Sequence, residues 1–140
     1  MIVVDSSAIV AILFGEPASA ALLQCLASHQ DKVMSVASYV ETGTVLAGRR
    51  RSDRLRAIDH LNTFLDEAAI RLEPVDTGQA RIALRARIQY GRGMGHGGEL
   101  NFGDTFSYAL AQALQAPLLF VGDDFSATDV TAALDSRFTG

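Results

Sequence analysis

Three acidic residues lie just after predicted strands, and carboxylates in such places can do chemistry. Asp5 directly follows the apolar run Ile2 to Val4, and the pair Asp123 and Asp124 follows the apolar run Leu118 to Val121. In open parallel sheets, ligands bind outside the carboxyl ends of the strands. These acids are therefore expected at one edge of a sheet.

Two further acids lie on helices that are otherwise apolar. Glu41 has Ala37 and Val45 one helical turn away on either side, which places it on or beside the face that packs against the sheet. Asp104 begins an apolar helix, just after Asn101 to Gly103. A buried ionised carboxylate is costly unless it is paired or bound to a metal. Four acids from four distant segments are thus expected to converge.

Each acid also has a purely structural interpretation. Asp5 and Asp104 are common residue types at the start of a helix, where they cap free backbone N–H groups. Asp123 and Asp124 are typical turn residues, and Glu41 could pair with an arginine or face solvent. These alternatives remain open for single residues, while the joint pattern favours a site.

Carboxylates with few other metal ligands nearby point to a particular kind of ion. The chain has three histidines and one cysteine, so the cluster offers hard oxygen ligands, which favour Mg²⁺ or Mn²⁺ over Zn²⁺. Two such ions about 3.5–4 Å apart can activate water and stabilise the leaving oxygen in phosphodiester cleavage. The residues therefore predict a site for one or two ions.

Charge is unevenly distributed along the chain. The formal net charge is −4, from 12 basic and 16 acidic residues, and setting aside four site acids leaves 12 against 12. Five arginines crowd into residues 49–56. This segment is either a phosphate-contacting edge, with Arg49 and Arg50 as candidate substrate contacts, or a solvated helix end. The net acidity therefore does not exclude a nucleic-acid substrate.

The elements that must position these acids alternate between strand and helix. Short apolar runs predict strands at 2–4, 33–36, 70–75 and 118–121. Helical spacing and helix boundary residues predict helices at 7–14, 17–28, 37–51, 53–68, 78–90 and 102–116. This alternation predicts an α/β fold with a parallel sheet covered on both faces.

Length and composition indicate one domain over residues 1–140. Apolar residues make up 49% of the chain and charged residues 20%, as expected for a globular protein that folds unaided. No basic segment with a cleavage site opens the chain, and no apolar run approaches the roughly 18 residues needed to cross a bilayer. Cys25 is the only cysteine, which suits a reducing compartment. A cytoplasmic location is expected.

Residues 91–98 form a glycine-rich loop that contains five of the twelve glycines. A phosphate-binding loop of the Walker type needs a Gly-Lys-Ser/Thr sequence, and this loop has no lysine. His96 within it is either a substrate contact or a solvated surface histidine. The role of the loop stays open.

Several segments together resemble a known family. The stretches IVVDSSAIVAIL, SVASYVETGTVL and GHGGELNFGDTFSYALAQALQAPLLFVGDDFSATDV are similar to those of PIN-domain nucleases, specifically VapC-type toxins of bacterial toxin–antitoxin pairs. The resemblance implies a three-layer α/β/α fold with about five parallel strands. It also implies a metal-dependent endoribonuclease, a homodimer and a small VapB-like antitoxin that covers the acidic site.

The resemblance also implies roles for individual residues. Asp5, Glu41 and Asp104 match the first three acids of the family, and the fourth is Asp123 or Asp124. We expect Asp5 and Asp104 to be direct metal ligands, with the others completing the site. Ser6 is the adjacent hydroxyl and a candidate substrate contact. The glycine-rich loop departs from the family, since related toxins often carry Gly-His-Pro-Ala where this chain has Gly-His-Gly-Gly.

Two other classes of function compete with a nuclease. A phosphoacceptor switch of the receiver type also places aspartates at strand ends, but it usually has a lysine after a late strand, and Lys32 precedes the second predicted strand. A PIN-like module that binds RNA or protein without cutting is the second alternative. The presence of acids at all four family positions favours the nuclease.

Overall fold

The computed structural model of the protein describes residues 1–138. Within that range the elements occur in the order β1 (Ile2–Val4), α1 (Ser6–Leu13), α2 (Ser19–Ala27), β2 (Lys32–Ser35), α3 (Val36–Arg49), α4 (Arg54–Glu67), β3 (Ile70–Glu73), α5 (Thr77–Tyr90), α6 (Asp104–Leu114), β4 (Leu118–Leu119) and a 3₁₀ turn (Ser136–Phe138).

The four strands form one parallel sheet in the order β3-β2-β1-β4. Val3 of the central strand β1 pairs with Val33 on one side and Leu118 on the other. All three residues of β1 are fully buried, as expected for a parallel strand with both faces covered. The predicted α/β class and parallel sheet are confirmed.

Side chains that alternate along the strands separate the core into two layers. Ile2 and Val4 point to one side, where they pack with buried residues of α1, α2, α3 and α4. Val3 and Val33 point to the other side, where they pack with buried residues of α5 and α6. The molecule is therefore a three-layer α/β/α sandwich.

The strand count differs from the five strands that the resemblance implied. β4 ends at Leu119 rather than at residue 121, and Gly122 follows with φ +93°, a conformation that favours glycine and turns the chain. In place of a fifth strand, one isolated parallel bridge joins Leu118 of β4 to Ala132. Two backbone hydrogen bonds of 2.8 Å form that bridge, so the fifth position of the sheet is occupied by one residue pair.

Most helices begin at a side-chain cap, which explains their starting points. Asp5, Ser35, Asp53 and Asp76 each accept a hydrogen bond from a backbone N–H of the helix that follows. The last predicted helix is shorter than expected, because Gln115 adopts a left-handed conformation with φ 50°. In the described part of the chain, every helix is too short or too polar to span a lipid bilayer.

Candidate active site

A cleft of about 240 Å³ opens at the carboxyl edge of the sheet. Four acids from four different segments line it, namely Asp5, Glu41, Asp104 and Asp124, together with Ser6, Ser7 and Asn101. Larger cavities of about 370–410 Å³ lie elsewhere on the surface. The cleft is distinguished by its carboxylates rather than by its size.

Asp5 is fixed by hydrogen bonds to both of its carboxylate oxygens. Oδ2 accepts a bond of 3.0 Å from the backbone N–H of Ser7, so Asp5 caps helix α1. Oδ1 accepts a bond of 2.5 Å from the hydroxyl of Ser107 on α6. The side chain is 1% exposed. The capping interpretation is therefore correct, and the cap itself aims Asp5 at the cleft.

Buried hydroxyls tie the surrounding elements together, and two of them, those of Ser38 and Ser107, were not predicted from the sequence. The Ser107 hydroxyl lies 2.9 Å from that of Ser38 on α3, and both residues are fully buried. The Ser7 hydroxyl accepts a 3.0 Å bond from the backbone N–H of Val121, just beyond β4. Serines on otherwise apolar helix faces were the available signal for Ser38 and Ser107.

Asp104 starts α6 through a reciprocal pair of bonds with Asn101. Its Oδ2 accepts a 3.0 Å bond from the backbone N–H of Asn101, whose side-chain oxygen accepts a 2.9 Å bond from the backbone N–H of Asp104. Burial raises the pKa of Asp104 to about 7, and the charges of Asp5, Asp124 and Glu41 add to the rise, while the Asn101 N–H opposes it. The four carboxylates therefore resist being ionised together.

Glu41 reaches the cleft from α3 and lies against the start of α6. Its Oε1 accepts a 2.6 Å hydrogen bond from the hydroxyl of Ser6. A β-carbon added at Gly103 would overlap the Glu41 carboxylate, so the glycine leaves the space that this side chain fills. Burial raises the pKa of Glu41, with a smaller rise from Asp5 and Asp124 and an opposing effect from Ser6.

The two acids after β4 are placed differently. Asp124 lines the cleft, and one of its oxygens lies 4.0 Å from Nη2 of Arg92. Asp123 is exposed and lies outside the cleft lining. Of the two alternatives left open by the sequence, the structure brings Asp124 next to the other three acids.

Of the four candidate substrate contacts, some lie at the cleft and others lie away from it. Ser6 lines the cleft, but Arg49 lies over the ring of Phe14, with the guanidinium carbon 4.2 Å from the ring centroid. Arg50 lines a separate pocket beside helix α4. His96 is exposed at the tip of the glycine-rich loop. Only Ser6 among these four residues contributes to the cleft wall.

The donor chemistry of the cleft suits a hard divalent cation, because every charged group that lines it is a carboxylate. The raised pKa of Asp104 is a second indication, since a cation would relieve the repulsion that causes part of it. Among residues 1–138, however, no three acidic, histidine or cysteine side chains are already arranged to hold an ion. Binding would require the carboxylates to draw closer together.

A parallel α/β/α sandwich with four acids at the carboxyl edge of its sheet defines a class of protein, and comparisons with known proteins agree on which one. The family model described as PIN domain matches residues 2–130. Ribonuclease VapC42 of Mycobacterium tuberculosis is 47% identical over 131 residues, which cover 94% of this chain and 98% of that protein. Ribonuclease VapC28 of the same organism is 47% identical over 135 residues, 96% and 99% of the two chains. The chain belongs to the PIN-domain family and, within it, to the VapC proteins.

Solved structures of lower identity share the fold. Mycobacterium tuberculosis VapC20, described as a sarcin–ricin-loop-cleaving toxin, superposes with a TM-score of 0.73 at 21% identity, covering 94% of this chain and 97% of that one. A toxin–antitoxin complex from Klebsiella pneumoniae gives a TM-score of 0.70 at 15% identity, covering 96% and 99%. These likenesses extend over nearly the whole chain.

Proposed function

We propose that this protein is a metal-dependent endoribonuclease that hydrolyses RNA phosphodiester bonds as the toxin of a toxin–antitoxin pair. The observation that carries the proposal is the cleft in which Asp5, Glu41, Asp104 and Asp124 meet. Relatives at 47% identity over nearly their full length bear the name ribonuclease, which supports the same activity here.

The cation proposed for this cleft is Mg²⁺ or Mn²⁺, as one or two ions. Asp5 and Asp104 would hold it directly, and Glu41 and Asp124 would complete the site, directly or through water. When bound, such ions supply positive charge to the scissile phosphate and lower the pKa of water at the site.

The side chains of this protein prepare the site before any ion or substrate binds. Ser107 and the Ser7 N–H hold both oxygens of Asp5, so its carboxylate is already oriented in the metal-free cleft. One Asp104 oxygen accepts a hydrogen bond from the backbone N–H of Asn101. In the metal-free cleft the raised pKa of Asp104, about 7, keeps a large part of this carboxyl group protonated near neutral pH, and cation binding would release that proton.

The test is to purify the chain free of partners and incubate it with total cellular RNA, with and without Mg²⁺ or Mn²⁺. We expect discrete cleavage products that require the ion and that disappear in the Asp104→Asn variant. Circular dichroism and the melting temperature would establish that the variant is folded. Cleavage that persists in EDTA, or in folded Asp104→Asn, would contradict the proposed mechanism.

A second candidate is a PIN-like module that binds RNA or protein without cutting. Titration with divalent ions distinguishes the two. The nuclease requires saturable ion dependence of its activity, whereas a folded protein that binds RNA without such dependence, and never cuts it, would be the module.

Further properties of the protein are proposed on the same family grounds. We propose a VapB-like antitoxin as partner, a homodimer, a cytoplasmic location and a single nuclease domain over residues 1–140. The likeness to a structure described as a toxin–antitoxin complex supports the antitoxin. Co-expression with the antitoxin gene and size-exclusion chromatography with light scattering would test the partner and the dimer.

A further inference from the structure

One positively charged side chain, that of Arg92, lies beside the acidic cleft. Among the salt bridges of residues 1–138, the pair between Arg92 and Asp124 is the one that involves a cleft carboxylate, with 4.0 Å between Nη2 and Oδ1. Arg92 comes from the glycine-rich loop, whose role the sequence left open. Neither the family comparison nor the proposed mechanism assigns a function to it.

The backbone of Arg92 is fixed relative to the cleft wall. Its N–H donates a 2.9 Å bond to the carbonyl of Leu100, and the Leu100 N–H donates a 3.1 Å bond to the carbonyl of Tyr90. Leu100 is fully buried and directly precedes Asn101, the partner of Asp104. Arg92 is thus one backbone hydrogen bond away from the segment that positions a cleft acid.

Two glycines permit this close crossing of the chain. A β-carbon at Gly98 would overlap the carbonyl of Tyr90, and one at Gly91 would overlap the carbonyl of Arg87. The glycines at the tip of the loop, by contrast, have open space around them and positive φ angles. The base of the loop is therefore closely packed, and Arg92 belongs to the base.

The guanidinium group of Arg92 is oriented but keeps free hydrogen-bonding capacity. Its Nε donates a 3.1 Å bond to Oε2 of Glu99, and Nη2 faces Asp124 at a distance longer than a hydrogen bond. The side chain is 63% exposed. A guanidinium carries five N–H donors, so its two terminal nitrogens remain available to a ligand at the cleft mouth.

An RNA-cleaving site with this charge distribution needs a cation at its rim. Four carboxylates are the charged groups that line the cleft, and each RNA phosphate is itself negative. The lining therefore offers no positive side chain to a phosphate beside the scissile bond. Arginine suits this task because its planar fork matches phosphate oxygens. The five arginines of residues 49–56 do not line the cleft.

We propose that Arg92 binds the RNA backbone phosphate next to the bond that is cut, and that Glu99 positions its guanidinium. This proposal rests on the proposed ribonuclease activity. Because the contacted phosphate is not the reacting one, Arg92 contributes to substrate binding equally before and during the reaction. Its loss therefore raises KM more than it lowers kcat.

The experiment compares Arg92→Gln and Arg92→Lys with the matched control Arg71→Gln. Arg71 lies on the outer strand β3, at the opposite edge of the sheet from β4, and pairs with Asp31 and Glu73. Two measurements are made. The first is kcat and KM on the RNA cut in the experiment above. The second is the affinity for a short fluorescent single-stranded RNA of mixed sequence in EDTA, at several KCl concentrations.

We expect Arg92→Gln to raise KM about tenfold while kcat changes less than about threefold, and to reduce the slope of log affinity against log salt by about 0.7, the value for one phosphate contact on a single strand. Arg92→Lys keeps the charge and should keep the slope. Arg71→Gln should match the wild type in KM, and its slope should change by clearly less than 0.7. A merely structural role would not change the salt slope.

The possible failures are distinguishable. If the wild type cleaves RNA but folded Arg92→Gln has the same KM and salt slope, the role of Arg92 is overturned and the nuclease stands. If Arg92→Gln lowers kcat with no change in slope, Arg92 acts on the position of Asp124 and not on RNA, which also overturns the proposal. If the wild type neither binds nor cleaves RNA, both proposals fail. If Arg92→Gln does not fold, a changed salt slope in Arg92→Lys would overturn the proposal by itself.

Discussion

The acidic cleft and the arginine-rich segment 49–56 concentrate charge in opposite ways. The cleft gathers four carboxylates from distant segments and surrounds them with the hydroxyls of Ser6 and Ser107 and the N–H groups of Ser7 and Asn101. The five arginines lie within eight consecutive residues, and within residues 1–138 none of them forms a salt bridge with an acidic side chain. Charge density in the sequence thus marks a solvated surface here, whereas the site is assembled by the fold.

The acidic cleft and the arginine-rich segment also take their residues from different positions along helix α3. This helix carries Glu41 in its first half and Arg49 at its end, eight residues apart and therefore about 12 Å apart along the axis. One helix thus contributes to the cleft and, two turns later, to the arginine-rich segment. Mutations at these two positions should have very different consequences.

The largest effect is expected at the most firmly held acid. Asp5→Asn should lower the cleavage rate by more than about a hundredfold, because it removes a ligand charge from the cleft. Asp123→Asn is the matched control, since Asp123 is exposed outside the cleft, and it should cleave at the wild-type rate. Rates are measured on the same RNA in Mg²⁺. A large loss in Asp123→Asn with normal Asp5→Asn would reverse the assignment.

The buried hydroxyl behind Asp5 should matter next. Ser107→Ala removes the donor to Asp5 Oδ1, so cleavage should fall about 10- to 100-fold, the usual cost of removing a group that orients a metal ligand. The concentration of Mg²⁺ needed for half-maximal activity should rise as well. Ser126→Ala, at an exposed position after the cleft acids, serves as control. Unchanged Mg²⁺ dependence in Ser107→Ala would show that Asp5 does not need this bond.

Two glycine substitutions separate the cleft from the rest of α3. In Gly103→Ala the new methyl group must displace the Glu41 carboxylate, which is the end of a flexible side chain. Cleavage should fall several-fold while the melting temperature changes little. In Gly48→Ala nothing lies within 4 Å of the new methyl group, so activity should stay normal and the helix should gain up to about 1 kcal/mol. Equal activity in both variants would argue against a role for Glu41.

The stability of the metal-free protein should depend on pH through Asp104. Its pKa rises from 3.8 in the reference state to about 7 in the folded chain, so the folded state holds more protons between these values. The resulting stabilisation is fully present below about pH 4 and is lost as the pH rises through about 7. Melting temperatures in EDTA should therefore fall from pH 5 to pH 8.

Asp104→Asn and added Mg²⁺ provide the controls for that pH dependence. The variant cannot ionise at this position, so its melting temperature should fall less over the same range. Mg²⁺ should stabilise the wild type more at pH 8 than at pH 5, because it binds the ionised carboxylates. If the wild type and Asp104→Asn had identical slopes in EDTA, another group would be responsible for the pH dependence.

The fold was largely predictable because its signals are local. Apolar runs locate the buried strand β1, and helical spacing between Asp53 and Ala68 predicts α4 to within one residue at each end. The parts that differ depend on contacts between distant segments. β4 is cut short where Gly122 turns the chain, and the fifth strand is reduced to the pairing of Leu118 with Ala132.

The acids of the candidate site could be predicted from the sequence, whereas the groups that hydrogen-bond to them or lie beside them could not. A carboxylate after an apolar strand is visible in the sequence, as with Asp5 and Asp124, because strand ends share an edge. Ser107 reads as an ordinary residue of an amphipathic helix, and only the packing of α6 against β1 makes it a partner of Asp5. Arg92 reads as part of a polar loop, since its distance to Asp124 depends on how the loop closes.

The smallest effect is expected from the arginine-rich segment, where the sequence pattern was most conspicuous. Arg49 packs over the Phe14 ring, and Arg50 lines a pocket beside α4. The variants Arg49→Gln and Arg50→Gln should therefore change KM less than about twofold at moderate salt, because charges more than about 10 Å from the RNA are screened there. Both variants are assayed beside Arg92→Gln on the same RNA. A KM increase in Arg49→Gln or Arg50→Gln that equals the one in Arg92→Gln would mean that RNA extends about 12 Å along α3 from the cleft. The substrate-binding surface would then include the segment that the fold places outside the cleft.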